Sequence, residues 1–221
     1  MSNTTEHGLL KTVYTPSTVA KARVILAHGA GAGNRHEFMT QFAALLAEKD
    51  IEVHSINFPY MQQAYELDKK RPPNSNKQLV NYFRQLVLDM PDDLPLLMIG
   101  KSMGGRVATQ IAVDTDIANR VTGVVVLGYP FMPPGKPEKL VDRVSHFVDI
   151  QTKVLILQGE RDNFGGKELV TKQELPQQIK VSWIPSGDHS FKPLKSSGYT
   201  QAQNIELSAE LTNRFIDELV R

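Results

Sequence analysis

Three residues have the types, order and settings of a nucleophile, an acid and a base: Ser102, Asp162 and His189. Ser102 lies in Gly100-Lys101-Ser102-Met103-Gly104, a G-x-S-x-G turn between an apolar run and a helical pattern. A turn this tight strains the backbone of its central serine. It also leaves no room for a Cβ two residues to either side. Gly100 and Gly104 meet that demand, and Gly105 lets the next helix pack closely. The serine hydroxyl is thereby lifted clear of the chain. Met103 offers a backbone N–H at a helix start, where developing negative charge is stabilised. This chemistry is acyl transfer.

Asp162 lies in GERDNFGG and His189 in PSGDHSF, each after an apolar run. The order serine, acid, histidine is that of a hydrolytic triad on a parallel sheet. Glu160 competes with Asp162 for the acid role, and Asn163 is a weaker substitute. Asp188 adjoins His189 and reads as a turn residue. His28 opens the loop HGAGAG and reads as structural. The backbone N–H of Ala30 in that loop is the second candidate oxyanion donor. Arg35, Arg106, Arg161 and Lys101 either ring an anionic substrate or form a solvated rim, the commoner outcome.

Two phosphate-binding motifs are excluded. A P-loop ending in Gly100-Lys101-Ser102 needs a glycine at position 95, which is Pro95, and a loop where Leu96–Ile99 reads as strand. A dinucleotide loop at Gly29 and Gly31 needs a third glycine where Asn34 stands. It also needs an acid ending the next strand, which instead ends Ser55, Ile56, Asn57.

The positioning elements alternate strand and helix. Strands are expected at 8–14, Ala22–Gly29, Ile51–Pro59, around Leu96, at Thr122–Pro130, Thr152–Gly159 and Ile179–Pro185. Helices are expected at Glu37–Lys49, around Leu79–Val87, after Ser102, at Glu138–Val148, Lys167–Glu174 and Ile205–Val220. The Glu138 helix should turn Leu140, Val141, Val144 and Phe147 inward. Tyr60–Asn76 reads as a long polar rim loop with at most a short helical turn, and it is the one segment able to cap the site. The pattern gives an α/β fold: one domain over residues 1–221, a doubly wound, mostly parallel sheet of about six or seven strands, and minimal or no lid.

Lysine plus arginine number 25 against 24 aspartate plus glutamate. That balance gives no reason to expect nucleic acid or an anionic membrane as partner. The absence of cysteine excludes disulfides, a thiolate nucleophile and cysteine-based metal sites. The first residues, MSNTTEHGLLKTVY, have no secretory pattern, and no apolar run nears a span, so a cytoplasmic protein is expected.

The stretches HGAGAG, NFPYM with KKRPP, GKSMGGR, LGYPFMPPGKP, LQGERDNFGG and GDHSF together resemble the small serine α/β-hydrolases of the dienelactone-hydrolase-like branch. Within it they look most like the group containing the testis-expressed protein 30 and NSL-complex subunit 3 hydrolase-like domains. The resemblance implies that Asp162 is the acid and that no metal or cofactor is needed. It implies a small ester or thioester as substrate. Dienelactone hydrolases proper carry a cysteine where this chain has Ser102, so their substrate does not transfer. Tyr60, Lys101, Tyr129 and Phe131 are the candidate substrate-binding residues, walling an open cleft suited to short acyl chains. The rival reading is a non-catalytic scaffold of the same fold that binds a protein partner. Oligomeric state is left open.

Overall fold

The computed structural model describes residues 2–6 and 9–221, with side chains from Lys11 onward. Eight strands form one sheet: β1 (Ser2–Glu6), β2 (Leu9–Tyr14), β3 (Ala22–Ala27), β4 (Ile51–Ile56), β5 (Leu96–Lys101), β6 (Gly123–Leu127), β7 (Val154–Gly159) and β8 (Ile179–Ile184). Their spatial order is β1-β2-β4-β3-β5-β6-β7-β8. β1 and β2 are antiparallel, β2 is antiparallel to β4, and β4 through β8 run parallel. The doubly wound α/β sheet expected from the sequence is present. The strand beyond the expected set is β1, a hairpin partner whose polar residues Ser2–Glu6 carry no strand pattern. Gly8, where the first expected strand began, lies outside the described residues.

The helices are α1 (Glu37–Ala47), α2 (Pro59–Glu66), α3 (Asn76–Asp89), α4 (Met103–Ile111), α5 (Thr115–Arg120), α6 (Leu140–Val144), α7 (Lys167–Val170) and α8 (Gln201–Leu219). Two cores divide them. Leu97, Ile99, Val125 and Leu127 pack with α1 and α8 on one face of the sheet. Met98, Val124 and Val126 pack with the other helices on the opposite face. Central strands buried on both faces explain the continuous apolar runs in the sequence.

Three segments differ from expectation. Pro59–Glu66 is a helix rather than a rim loop. Pro59 supplies a preset φ at its first turn, and Tyr60 and Met61 anchor it in the core. α5 has no counterpart in the reading, because Thr115–Arg120 is six residues long and carries one buried apolar side chain, Ile117. The Glu138–Val148 helix breaks into α6 flanked by 3-10 turns at Pro137–Lys139 and Ser145–Asp149. The break turns Val141 outward, leaving it 69 % exposed, while Leu140 and Phe147 stay inside.

From β3 the chain steps outward to β4, then crosses to β5 on the other side of β3. The loops after β3 and β5 therefore lie side by side at the carboxyl edge, the switch point where such sheets bind ligands. A Cβ on Gly29 would lie 3.6 Å from the Cβ of Ser102. At the far edge, the loop after β8 carries His189 and is tied to α8. The buried Asn204 Nδ2 donates to the carbonyls of Pro185 at 3.0 Å and Phe191 at 2.8 Å.

Asn204→Ala leaves those two carbonyls without a partner, at a cost of roughly 1–3 kcal/mol for a buried unsatisfied group. Calorimetry should find a melting temperature lowered by roughly 2–12 °C. An unchanged value would mean that the loop is held by other contacts.

Candidate active site

The turn after β5 has the strain its sequence requires. Ser102 sits at φ 50° and ψ −110°. Its N–H donates to the Leu127 carbonyl at 3.0 Å, pinning it to β6. A Cβ at Gly100 would come within 2.3 Å of the Gly104 carbonyl carbon, and one at Gly105 within 2.3 Å of Val126. Met103 opens α4, so its N–H is among the first-turn amides that lack an intrahelical acceptor.

The three candidate residues meet. His189 Nε2 is 2.7 Å from Ser102 Oγ, and His189 Nδ1 is 2.8 Å from Asp162 Oδ2. The Asp162 side chain is fully buried and that of His189 is 20 % exposed. Asp162 accepts two further bonds, the Phe164 N–H on Oδ1 at 2.8 Å and Gln158 Nε2 on Oδ2 at 2.9 Å. Phe164 also lays its ring 4.2 Å from the His189 imidazole, 31° from parallel. The array can draw a proton from the serine hydroxyl onto an imidazole whose other nitrogen is held by a buried carboxylate.

Glu160 points elsewhere. It accepts the Ser186 N–H at 2.9 Å and pairs with Lys167 at 2.9 Å, and these partners hold its carboxyl below the usual range. Asp188 caps its own turn, accepting from the N–H groups of Ser190 and Lys192. His28 is fully buried. It accepts the Phe58 N–H on Nε2 at 3.0 Å, and its Nδ1 donates to the Gly29 carbonyl at 2.6 Å. Burial lowers it to about 4, so it stays neutral at pH 7 and structural.

The four candidate substrate-binding residues are placed differently from expectation. Tyr60 is 3 % exposed and donates its hydroxyl to the carbonyls of Ala30 at 2.9 Å and Gly29 at 3.2 Å. It braces the loop that contains Ala30. Tyr129 and Phe131 are 0 % exposed, stacked edge-on at 4.9 Å in the core. Their aromatic bulk fills space under α6 and does not wall a cleft. Lys101 turns under the His189 loop: its Nζ donates to the His189 carbonyl at 2.9 Å and lies 4.7 Å above the Phe38 ring. Of the other cations, Arg35 stacks on Tyr65 and Arg161 donates to the Ser186 carbonyl.

Sequence reasoning passed over Gln158. Fully buried in β7, it accepts the Tyr129 N–H on Oε1 at 2.7 Å. Its Nε2 is within 2.9–3.1 Å of Asp162 Oδ2 and the carbonyls of Gly165 and Tyr129. The available signal was a lone amide in the apolar run VLILQG, on the strand that leads into the acid.

Among the described residues, no cluster of three or more histidine, aspartate or glutamate side chains is arranged to hold a metal ion. Nor is any helix long and apolar enough to cross a membrane.

A family model described as "Alpha/beta hydrolase domain" matches residues 20–217. No curated protein sequence matches. Among solved structures, an alpha-beta serine hydrolase homologue from Coxiella burnetii superposes with a TM-score of 0.69 at 15 % identity, covering 94 % of this chain and 91 % of its own. Est1E from Butyrivibrio proteoclasticus, with ferulic acid bound, gives 0.69 at 14 % identity, with 97 % of each chain covered. Dienelactone hydrolase from Anabaena variabilis gives 0.68 at 18 % identity, covering 96 % of this chain and 93 % of its own. At such identities the likeness is one of fold.

Lys101 offers a test by titration. Burial lowers it from the ordinary 10.5 to about 8, against the opposing pull of Asp162 and Asp188. Below pH 8 it is charged in both folded and unfolded chains. Between pH 8 and 10.5 the unfolded chain binds more proton, so stability rises with pH. Wild type should therefore gain stability relative to Lys101→Met across that window and run parallel to it below pH 8, as followed by urea unfolding. Parallel curves throughout would show an ammonium open to water.

Proposed function

We propose that this chain, which belongs to the alpha/beta hydrolase domain family, is a serine hydrolase that cleaves a small carboxylic ester or thioester within one domain. The observation that carries this reading is the unbroken path from Ser102 Oγ through His189 to Asp162, at 2.7 and 2.8 Å. The serine hydrolase and esterase folds among its structural neighbours support it. Its motifs further favour the branch containing the testis-expressed protein 30 and NSL-complex subunit 3 hydrolase-like domains.

In this mechanism Ser102 Oγ bonds to the substrate carbonyl carbon while its proton passes to His189 Nε2. Asp162 holds Nδ1–H in place and stabilises the imidazolium. The oxyanion faces the N–H groups of Met103 and Ala30. Collapse breaks the bond to the leaving oxygen or sulfur, which takes the proton from His189. Water then repeats the sequence, and its attack releases the acid and frees Ser102. Every step uses protein groups and water.

The acyl group is short in this reading. The β6–β7 connection holds only α6 and its flanking 3-10 turns, too little for a lid domain. Tyr60, Tyr129 and Phe131 are committed to the core. Long chains gain about 0.8 kcal/mol per enclosed methylene, and such a site encloses few.

Ser102→Ala should abolish labelling by a fluorophosphonate and cut turnover of an activated ester by several orders of magnitude. Undiminished labelling would assign the nucleophile elsewhere. Asp162→Ala combined with His189→Ala should be no worse than His189→Ala alone, because the residues act as one unit. A p-nitrophenyl ester series should peak below about eight carbons. A maximum at ten or more would reveal an apolar tunnel and refute the open site.

A further inference from the structure

We propose that a basic recess one helical turn from Ser102 binds a carboxylate or phosphate carried by the substrate, so that the preferred ester is anionic. The inference rests on the hydrolase reading and names its substrate class. The recess encloses about 340 Å³ and is lined by Arg106, Pro133, Lys136, Lys139, Asp142 and Arg143. Four of these six side chains are cationic and one is anionic. The single carboxylate, Asp142, pairs with Lys139 at 3.4 Å. Among the described residues, no carboxylate lies within 4.0 Å of either guanidinium.

Arg106 is the anchor. Its Nε is buried and makes no hydrogen bond. A terminal nitrogen reaches the neutral Asn76 Oδ1 at 3.5 Å, and the guanidinium also bonds the Tyr129 hydroxyl oxygen. The Tyr129 hydroxyl nearby spends its proton on the Arg143 carbonyl, at 2.6 Å. Burial, and then the charge of Arg143, lower the Arg106 pKa. His146 cannot relieve this: burial and Arg106 push it down to about 4, and its Nε2 bonds Thr109 Oγ1 at 3.0 Å. A guanidinium has five donors in a fixed fork. A guanidinium beside a like charge, with neutral partners and its buried Nε unmet, suits a ligand that brings negative charge and paired oxygens.

The recess and the serine share their scaffold. The Arg106 N–H donates to the Ser102 carbonyl in the first turn of α4 at 2.9 Å, so the two residues stand about 6 Å apart along the axis. Pro133 follows Met132, whose N–H donates to the Phe164 carbonyl at 3.0 Å, and the Phe164 ring packs on His189. An anionic group a few bonds from the scissile carbonyl spans the two.

The test compares kcat/KM for matched esters. Mono-p-nitrophenyl glutarate against p-nitrophenyl pentanoate places the charge on the acyl side. 4-Carboxyphenyl butyrate against phenyl butyrate places it on the leaving group. One pair should favour the anion by about tenfold or more at low salt. That preference should fall toward one in Arg143→Gln and in Lys136→Gln combined with Lys139→Gln, both on half-buried or exposed side chains that spare folding. It should persist in Lys180→Gln, an exposed charge on β8. Ratios near one for both pairs, or a preference that survives the recess variants, would overturn the proposal. If no ester is turned over, the hydrolase reading has failed. Calorimetric titration of wild type and Arg143→Gln with glutarate and with inorganic phosphate then decides the recess alone. Binding lost in the variant supports it, and no binding to wild type refutes it.

Discussion

Ser102 is held at φ 50° and ψ −110°, a conformation that costs a non-glycine residue roughly 1–3 kcal/mol. The surroundings leave it no relaxed alternative. β5 is buried between β3 and β6, and the Ser102 N–H is fixed to Leu127. α4 lies so close to the end of β3 that a Cβ on Gly104 would fall 2.7 Å from the His28 carbonyl oxygen. That closeness sets the rest. It brings the start of α4 beside the loop after β3, so the amides of Met103 and Ala30 share one edge. It also leaves the hydroxyl within reach of an imidazole that arrives from the far side of the sheet.

The imidazole in turn depends on polar contacts that no solvent touches. Asp162 has both oxygens occupied, and Gln158 ties it to Tyr129 and Gly165. A buried carboxylate with both oxygens engaged has little freedom to reorient. This explains why Asp162 and not Glu160 meets His189, although both lie on the same loop. Glu160 is spent on Ser186 and Lys167. Asn204 and Lys101 hold carbonyls of the loop after β8, at Pro185, His189 and Phe191. The base is therefore placed by three elements distant in sequence.

What was legible in the sequence was what steric necessity writes into residue type. Only glycine fits at 100, 104 and 105, and apolar runs are forced on strands covered by two helical layers. The order of Ser102, Asp162 and His189 follows from the winding of the sheet. The fates of Tyr60, Tyr129 and Phe131 were not legible. An aromatic residue after a strand end satisfies composition equally well lining a cleft or filling a core. The choice is made by helices whose registry appears only in three dimensions. Gln158 was hidden for a related reason, since its partners are mostly main-chain atoms that have no sequence signature. The segment beyond Pro59 misled because its buried residues, Tyr60, Met61 and Gln62, are consecutive and include an amide, so they show no helical spacing of apolar positions.

Lys101 shows that more could have been read. Alternate residues of a strand face opposite sides. Leu97 and Ile99 pack toward α1 and α8, so Lys101 must follow them, away from α4. There its ammonium lies over the rings of Phe38 and Phe191 and finds the His189 carbonyl. Arg106, five residues on and one turn into α4, falls on the opposite face with Tyr129 and Arg143. Two cations that look alike in GKSMGGR are thus separated by the sheet itself. One is absorbed into positioning the base. The other has no carboxylate among the described residues and opens onto a recess of its own sign. The near-neutral total charge conceals this division, because the balancing carboxylates are paired elsewhere. Charge at the site is set by strand parity and helix phase.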